Sequence, residues 1–277
     1  MIGSSILKIT NFNKNSNKNF SKVNTTVHFI DVGQGDCELI VDGGKVVLID
    51  CGEVDYGSKV VKYLKKLNIK KIDYFIGTHP HTDHIGGFLE VVKRFKIENV
   101  IMPEIPSNLI PTNPIYKKFL NFLRDNSKHI KIIKAVKGQK FNLNKGNIQI
   151  LGPVKSDYDN LNDFSVVCKF VCDKCAFLFG GDAQKAAEND LIASKQNLKA
   201  DVLKLNHHGS KTSNTSKFLK AVGAKICVIE VGKNNSYRHP HKNVLKSLKG
   251  VKLFRTDYDG TIVFLTDGKL IYFEKEK

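Results

Sequence analysis

The sequence predicts an α+β domain in which two mixed sheets pack face to face, with helices on the outer faces. Three observations carry this expectation. Short apolar runs of strand length alternate with segments of helical periodicity from Val27 to the end of the chain. The runs form two successions, each interleaved with helices, and no Pro/Gly-rich linker divides them. The chain has 277 residues, 41% of them hydrophobic, enough to bury both sheets in one domain.

Residues 1–25 stand apart from this pattern. Asn11, Asn13, Asn15, Asn17, Asn19 and Asn24 lie among Ser and Lys without apolar periodicity, which predicts a disordered basic lead-in to a single domain over 26–277. Val27–Ile30, Cys37–Val41 and Lys45–Ile49 have the composition of strands. Asp42-Gly43-Gly44 between the last two is a hairpin turn signal. Val60, Val61, Leu64 and Leu67 repeat at helical spacing across Ser58–Leu67. A strand follows at Ile72–Ile76, a helix at Gly87–Phe95, a strand at Val100–Met102 and a helix at Tyr116–Leu123. Strands are expected at Ile130–Ile133 and Ile148–Leu151, then a hairpin of Phe164–Val171 with Cys175–Phe179 around Asp173-Lys174. The remainder alternates: helix Ala183–Ile192, strand Val202–Leu205, helix Ser216–Val222, strand Ile226–Ile229 and helix Asn243–Leu248. Strands at Val251–Phe254, Thr261–Leu265 and Leu270–Phe273 close the chain.

Composition narrows the functional classes. No apolar run approaches 18 residues, so no membrane-spanning helix is expected. Six cysteines are too sparse for a disulfide-stapled scaffold, and Cys172-Asp173-Lys174-Cys175 is a lone pair best explained by hairpin packing or an incidental disulfide. Lys and Arg number 44 against 27 Asp and Glu, a formal charge of +17. That excess favours a polyanionic partner, nucleic acid first, although 40 of the 44 are lysines that a solvated surface also accommodates.

The histidines are the most informative feature. Seven of nine fall in three short clusters. Thr78-His79-Pro80-His81-Thr82-Asp83-His84 follows a strand. His79 and His81 can point one way from an extended loop while Asp83 and His84 face a second position, a donor set suited to Zn²⁺ or Mn²⁺. His207-His208 and His239-Pro240-His241 supply distant ligands for such a site. Asp31, Asp50 and Asp182 each end an apolar strand beside a glycine turn, where a site built on sheet edges places carboxylates.

Read together, Leu48-Ile49-Asp50-Cys51-Gly52, the His79–His84 cluster, Gly181-Asp182 and a late histidine resemble the metallo-β-lactamase superfamily. Phe29-Ile30-Asp31-Val32-Gly33-Gln34-Gly35-Asp36, Leu203-Lys204-Leu205-Asn206-His207-His208-Gly209-Ser210, the Asn235 to Pro240 loop and Arg255-Thr256-Asp257 are similar to the C-terminal hydrolase domain of the ComEC competence family. The resemblance implies an αββα four-layer sandwich with two divalent metal ions, Zn or Mn, at one edge. It implies His79 and His81 on one ion, Asp83 and His84 on the other, Asp182 bridging, and His208 or His207 completing a shell. Asp50 and Gln34 would support the ligands. His207, His239 and Asp31 would serve catalysis, and Asn234, Asn235, Tyr237 and Arg238 would orient a phosphate. One departure stands out: many superfamily members carry a further histidine ligand before the bridging aspartate. Here only His129 lies between His84 and Asp182, and Asn160–Ser165, with Asn162, occupies the expected place.

The implied reaction is hydrolysis of a phosphodiester by a hydroxide that two metals activate. Charge selects the substrate: nucleic acid, single-stranded DNA first, because lysines recruit phosphates electrostatically. A small-substrate hydrolase such as a phosphorylcholine esterase, or a non-catalytic DNA-binding module, are the alternatives. The sequence leaves oligomeric state and compartment open. A competence role implies a location outside the cytoplasm, although residues 1–25 show no apolar core of an export signal to support it.

Overall fold

The computed structural model describes residues 10–11 and 25–275. Among them, one sheet runs in the order β1 (Thr10–Asn11), β16 (Ile271–Lys275), β15 (Ile262–Thr266), β2 (Thr25–Phe29), β3 (Glu38–Asp42), β4 (Lys45–Ile49), β5 (Lys71–Ile76), β6 (Lys96–Met102) and β7 (Lys131–Lys134). The other runs β14 (Lys252–Arg255), β13 (Ile226–Ile229), β12 (Val202–Lys204), β11 (Cys175–Phe179), β10 (Cys168–Cys172), β9 (Asn147–Ile150) and β8 (Lys140–Asn142). Helices α1 (Gly57–Lys66), α2 (Thr82–Ile85), α3 (Phe88–Val92) and α4 (Pro114–Asp125) cover the first sheet. Helices α5 (Lys185–Ala193), α6 (Ser216–Val222) and α7 (Lys242–Ser247) cover the second, and α8 (Thr256–Asp259) joins β14 to β15.

Three apolar layers hold these four together. The central one is a Phe-rich core between the sheets, where Phe29 of the first sheet stacks on Phe179 of the second with ring centroids 5.8 Å apart. Each such buried ring contributes on the order of 1.5–3 kcal/mol by leaving water. Successive residues of a strand face opposite sides. Val27 and Phe29 therefore enter the central core while Leu39 and Leu48, on neighbouring strands, enter the layer under the helices. The β3–β4 turn sets Gly43 at φ 57° and Gly44 at φ 90°, the two left-handed positions of a type I′ hairpin.

The expected four-layer αββα arrangement is the one observed, with differences in particular elements. The hairpin strand expected from Phe164 begins at Cys168, because Leu161–Phe164 close a 3₁₀ turn that sends Asn162 to the cleft described below and Phe164 into the helix layer. The helix expected over Gly87–Phe95 is preceded by α2, which begins inside the histidine cluster. The short strand β8 and helix α8 carry little apolar periodicity and have no counterpart in the expectation. Of the lead-in expected over 1–25, Thr10 and Asn11 pair in parallel with the edge strand β16, an edge with unpaired backbone groups to offer, and Thr25 opens β2. Residues 1–9 and 12–24 lie outside the described residues. Cys172 and Cys175 face each other across the β10–β11 hairpin as free thiols. Among the described residues, no helix is long and apolar enough to cross a membrane.

Candidate metal centre

Strands β4, β5 and β6 run parallel in one sheet, as do β11, β12 and β13 in the other, so their carboxyl ends emerge at common edges. A backbone hydrogen bond of 2.8 Å from Val166 N to Thr78 O ties the two edges together. Ligands of open α/β sheets collect at such carboxyl ends, where loops are free to vary. Here the loops after β2, β4, β5, β11 and β12 deliver Asp36, Asp50, His79 to His84, Asp182, and His207 and His208.

The ligand-type atoms converge in two sets that share one carboxylate. His79, His81 and Asp182 form the first, and Asp83, His84, Asp182 and His208 the second, with the donor atoms of each set within 4.8 Å of one another. In the first, His79 Nε2 lies 2.9 Å from His81 Nδ1 and 3.7 Å from Asp182 Oδ2. In the second, Asp182 Oδ1 stands 3.3 Å from His84 Nε2 and 3.7 Å from His208 Nε2, and Asp83 Oδ2 is 3.2 Å from His208 Nε2. The two oxygens of Asp182 thus face different sets.

Three of the four rings are held from behind. His84 Nδ1 donates to Asp50 Oδ2 at 2.7 Å, which turns Nε2 toward the second set. Asp50 also accepts from Thr78 N and Thr78 Oγ1 at 2.8 and 2.6 Å, and His79 Nδ1 lies 3.1 Å from that hydroxyl. His208 Nδ1 donates to the Glu230 carbonyl at 2.9 Å. Asp50, His207 and His208 all adopt positive φ, at 52°, 51° and 51°. Left-handed backbone costs a non-glycine residue on the order of 1–3 kcal/mol and concentrates at functional sites.

The donor set fits divalent cations. His84 Nε2 and Asp182 Oδ1, both in the second set, are buried without a hydrogen-bond partner. Burial pulls the His84 imidazole toward neutrality, but Asp182, Asp83, Asp50 and Asp36 outweigh it and hold its pKa well above the ordinary value. His208 shows the same balance, burial against Asp182 and Asp36, and is pushed up to about 10. Burial works against the charge of Asp182, yet His84 and His208 pull its pKa well below the usual range. His79 goes the other way, kept neutral by burial and by the neighbouring His84. The carboxylates therefore exceed the fixed cations, and protons on two imidazoles stand where positive ions would relieve the same field.

A cleft of about 400 Å³ opens onto these residues, lined among others by Gln34, Glu53, His81, Asp83, Asn162, Asp182, His207, His208, Tyr237 and His239. Of the pair left open by sequence, His208 is buried and converges with the second set. His207 is partly exposed and lines the cleft, its Nε2 3.6 Å from Asp182 Oδ2. Burial lowers the pKa of His207, and burial together with His208 and His207 brings His239 down to about 4, so both rings are neutral near pH 7. Asn162 lies beside His81 with its Oδ1 buried and unpaired. Gln34 lines the cleft and accepts from Gly232 N.

Some expected residues stand elsewhere. Asp31 is not in the cleft: one carboxylate oxygen accepts from Gly33 N within its own turn and the other pairs with Lys59 at 2.9 Å. The position against the histidines belongs to Asp36, whose Oδ1 is 3.2 Å from His208 Nδ1 and whose Oδ2 is 3.7 Å from His84 Nδ1. Asn235 folds its own loop, bonding Gly232 O, His239 O and His239 N, and so has no free polar atom for a phosphate. Asn234 and Arg238 sit exposed at positive φ outside the cleft lining, which leaves Tyr237 as the expected phosphate-orienting residue that reaches it. Lys204, buried and paired with Asp36, was not singled out from sequence; its signal is a lysine inside the apolar run Val202–Leu205.

The comparisons agree with this architecture. The profile of the Metallo-beta-lactamase superfamily matches residues 30–229, and the chain belongs to that family. Within it, the chain is similar to the ComEC competence proteins. It is 30% identical over 258 residues to ComE operon protein 3 of Bacillus subtilis, covering 86% of this chain and 32% of that one. It is 29% identical over 238 residues to Competence protein ComA of Neisseria gonorrhoeae, covering 84% and 31%. The chain thus spans about a third of the length of these relatives. Among solved structures, the metallo-beta-lactamase fold protein YhfI of Bacillus subtilis superposes with a TM-score of 0.55 at 15% identity, over 87% of this chain and all of that one.

Proposed function

We propose that this chain is a metal-dependent phosphodiesterase that cleaves nucleic acid, single-stranded DNA in particular. The observation that carries it is the shared carboxylate: one residue, Asp182, turns one oxygen to each of two ligand sets at the floor of an open cleft. In this reading His79, His81 and Asp182 hold one divalent ion, and Asp83, His84, Asp182 and His208 hold the other. Asn162 stands beside His81 where many superfamily members supply a further histidine. Bound there, two divalent ions supply Lewis-acid polarisation of a phosphodiester and activation of water at neutral pH.

The protein's own groups do the rest. Asp50, Thr78 and the Glu230 carbonyl fix the tautomers and planes of His79, His84 and His208. His207 and His239, neutral in the cleft wall, are placed to hydrogen-bond a phosphate oxygen through a ring N–H. The ring of Tyr237, stacked on His239 with centroids 5.6 Å apart, offers a flat face to a base or sugar beside it. The formal charge of +17 supports a polyanionic substrate, and the relatives named for competence support DNA.

The test is cleavage of end-labelled single-stranded DNA, and turnover of a bis-phosphodiester dye, with Mn²⁺, Zn²⁺ or EDTA. The His81→Ala/Asp83→Ala double variant serves as control. DNA cleavage that needs metal and is lost in the variant is the expected result. Turnover of the dye alone would move the substrate to a small phosphodiester. Neither activity from a metal-loaded chain would overturn the enzyme reading.

A further inference from the structure

Directly behind the second ligand set lies a buried charge that no ligand touches. The Lys204 side chain is fully buried at the end of β12, and its ammonium pairs with Asp36 from the loop after β2. The same Nζ donates to the carbonyl of Gly181, the residue before Asp182, at 3.3 Å. One ammonium therefore joins three segments: the first sheet's Gly33–Asp36 loop, the Gly180-Gly181-Asp182 turn and the strand that leads into His207-His208.

We propose that Lys204 is a positioning residue of the metal centre: by holding Asp36 and the Gly181 carbonyl, it fixes the planes of His84 and His208 so that both present Nε2 to the same ion. Asp36 is the relay. Besides its approach to both Nδ1 atoms, its backbone N–H donates to Asp83 O at 3.1 Å and its carbonyl accepts from Gly52 N at 2.9 Å. Its carboxylate is therefore rooted in the loops that carry Asp50 and Asp83. A displaced Asp36 carboxylate removes a neighbour from both rings at once. Asp36 reaches His84 and His208 of the second set, while the first set is tied to Lys204 only through Gly181 beside the shared Asp182, so the larger effect falls on the second ion.

The chemistry suits a lysine. A compact ammonium can pair with a carboxylate and a carbonyl in a space that a planar guanidinium would not enter. Stability is a weak reason for such a group, because a well-packed apolar substitute for a buried ion pair is often neutral or stabilising. Orientation of the ligands gives it a use that an apolar side chain cannot replace.

This inference rests on the two-ion reading, and the experiment separates the two. Mn²⁺ is titrated calorimetrically into the unsubstituted chain, into His81→Ala, which keeps the second set, and into Asp83→Ala, which keeps the first. Each is measured with and without Lys204→Met. Loss of an outer partner of this kind costs roughly 10–100-fold in metal affinity. That loss is expected in the His81→Ala background, with a clearly smaller one in Asp83→Ala, where only the tie to Gly181 beside the shared Asp182 acts. Because methionine leaves the Asp36 charge alone in the core, Lys204→Met/Asp36→Asn removes both charges together and is expected to show the same selective loss if the single variant does not fold. Equal affinities with and without Lys204, or equal weakening of both ions as a general structural role would give, overturn the proposal while the two-ion reading stands. Failure of the unsubstituted chain to take up Mn²⁺ overturns both.

Discussion

Asp50 shows what one side chain does at this site. Its carboxylate takes three hydrogen bonds, two from Thr78 and one from His84, from a backbone position at φ 52° that aspartate and asparagine tolerate better than most residues. Asp50→Asn therefore keeps the turn but replaces one acceptor with an amide donor facing another donor. We expect it to fold and to bind Mn²⁺ roughly 10–100-fold more weakly, read by calorimetric titration. Residues like this were legible because local sequence restricts them: an aspartate at a strand end before glycine, and a histidine cluster with fixed spacing. Asp31 and Asp36 show the limit. Both lie in Asp31-Val32-Gly33-Gln34-Gly35-Asp36, and spacing alone does not say which carboxylate turns inward. The turn decides it, because Asp31 bonds Gly33 N while Asp36 enters the core to meet Lys204.

At the level of elements, the loop after β2 depends on Gly35. Its φ is 140°, and a Cβ there would come within 2.3 Å of the Asp83 carbonyl, backbone that cannot simply rotate away. Gly35→Ala should destabilise the fold by more than about 1 kcal/mol and shift Asp83, seen as a lower melting temperature together with weaker binding of the second ion. Strand β2 carries a separate pH response. His28 is buried between Tyr63 and Thr26, 2.8 and 2.7 Å from its two ring nitrogens, and burial lowers its pKa to about 4. Its folded pKa lies below the unfolded value of about 6.5, so its contribution is complete above pH 6.5 and is lost as pH falls toward 4. At about 1.4 kcal/mol per unit, the loss approaches about 3 kcal/mol. Urea melts at pH 7 and pH 4.5 should show a drop that His28→Phe reduces; equal drops in both chains would count against it. Elements with strong patterning, such as β4, β11, α6 and β13, have the bounds expected from sequence. The 3₁₀ turn at Leu161–Phe164 does not, because Phe164 there packs in the helix layer and Asn162 lines the cleft, rather than joining a strand ladder.

For the whole molecule, the surplus of lysines bears on how a polymer would bind rather than on the fold. Affinity for single-stranded DNA should fall steeply between 50 and 200 mM salt, by one to several orders of magnitude on a log-log line whose slope is about 0.7 per phosphate contacted. Turnover of a small phosphodiester dye should change far less. Equal salt sensitivity would point away from an extended lysine-lined path. The sequence by itself determined the layer architecture, the identity of most converging histidines and of Asp182, the aspartate that both donor sets share. Apolar period and ligand spacing are local properties, and a chain carries them before it folds. Only the tertiary structure placed His208 rather than His207 in the second donor set, brought Asp36 rather than Asp31 beside it, turned Asn235 into its own loop and buried Lys204 behind these residues. The placing of His208, Asp36 and Lys204 depends on residues more than a hundred positions apart meeting at the joined edges of two sheets, whereas the Asn235 loop closes through hydrogen bonds within four residues.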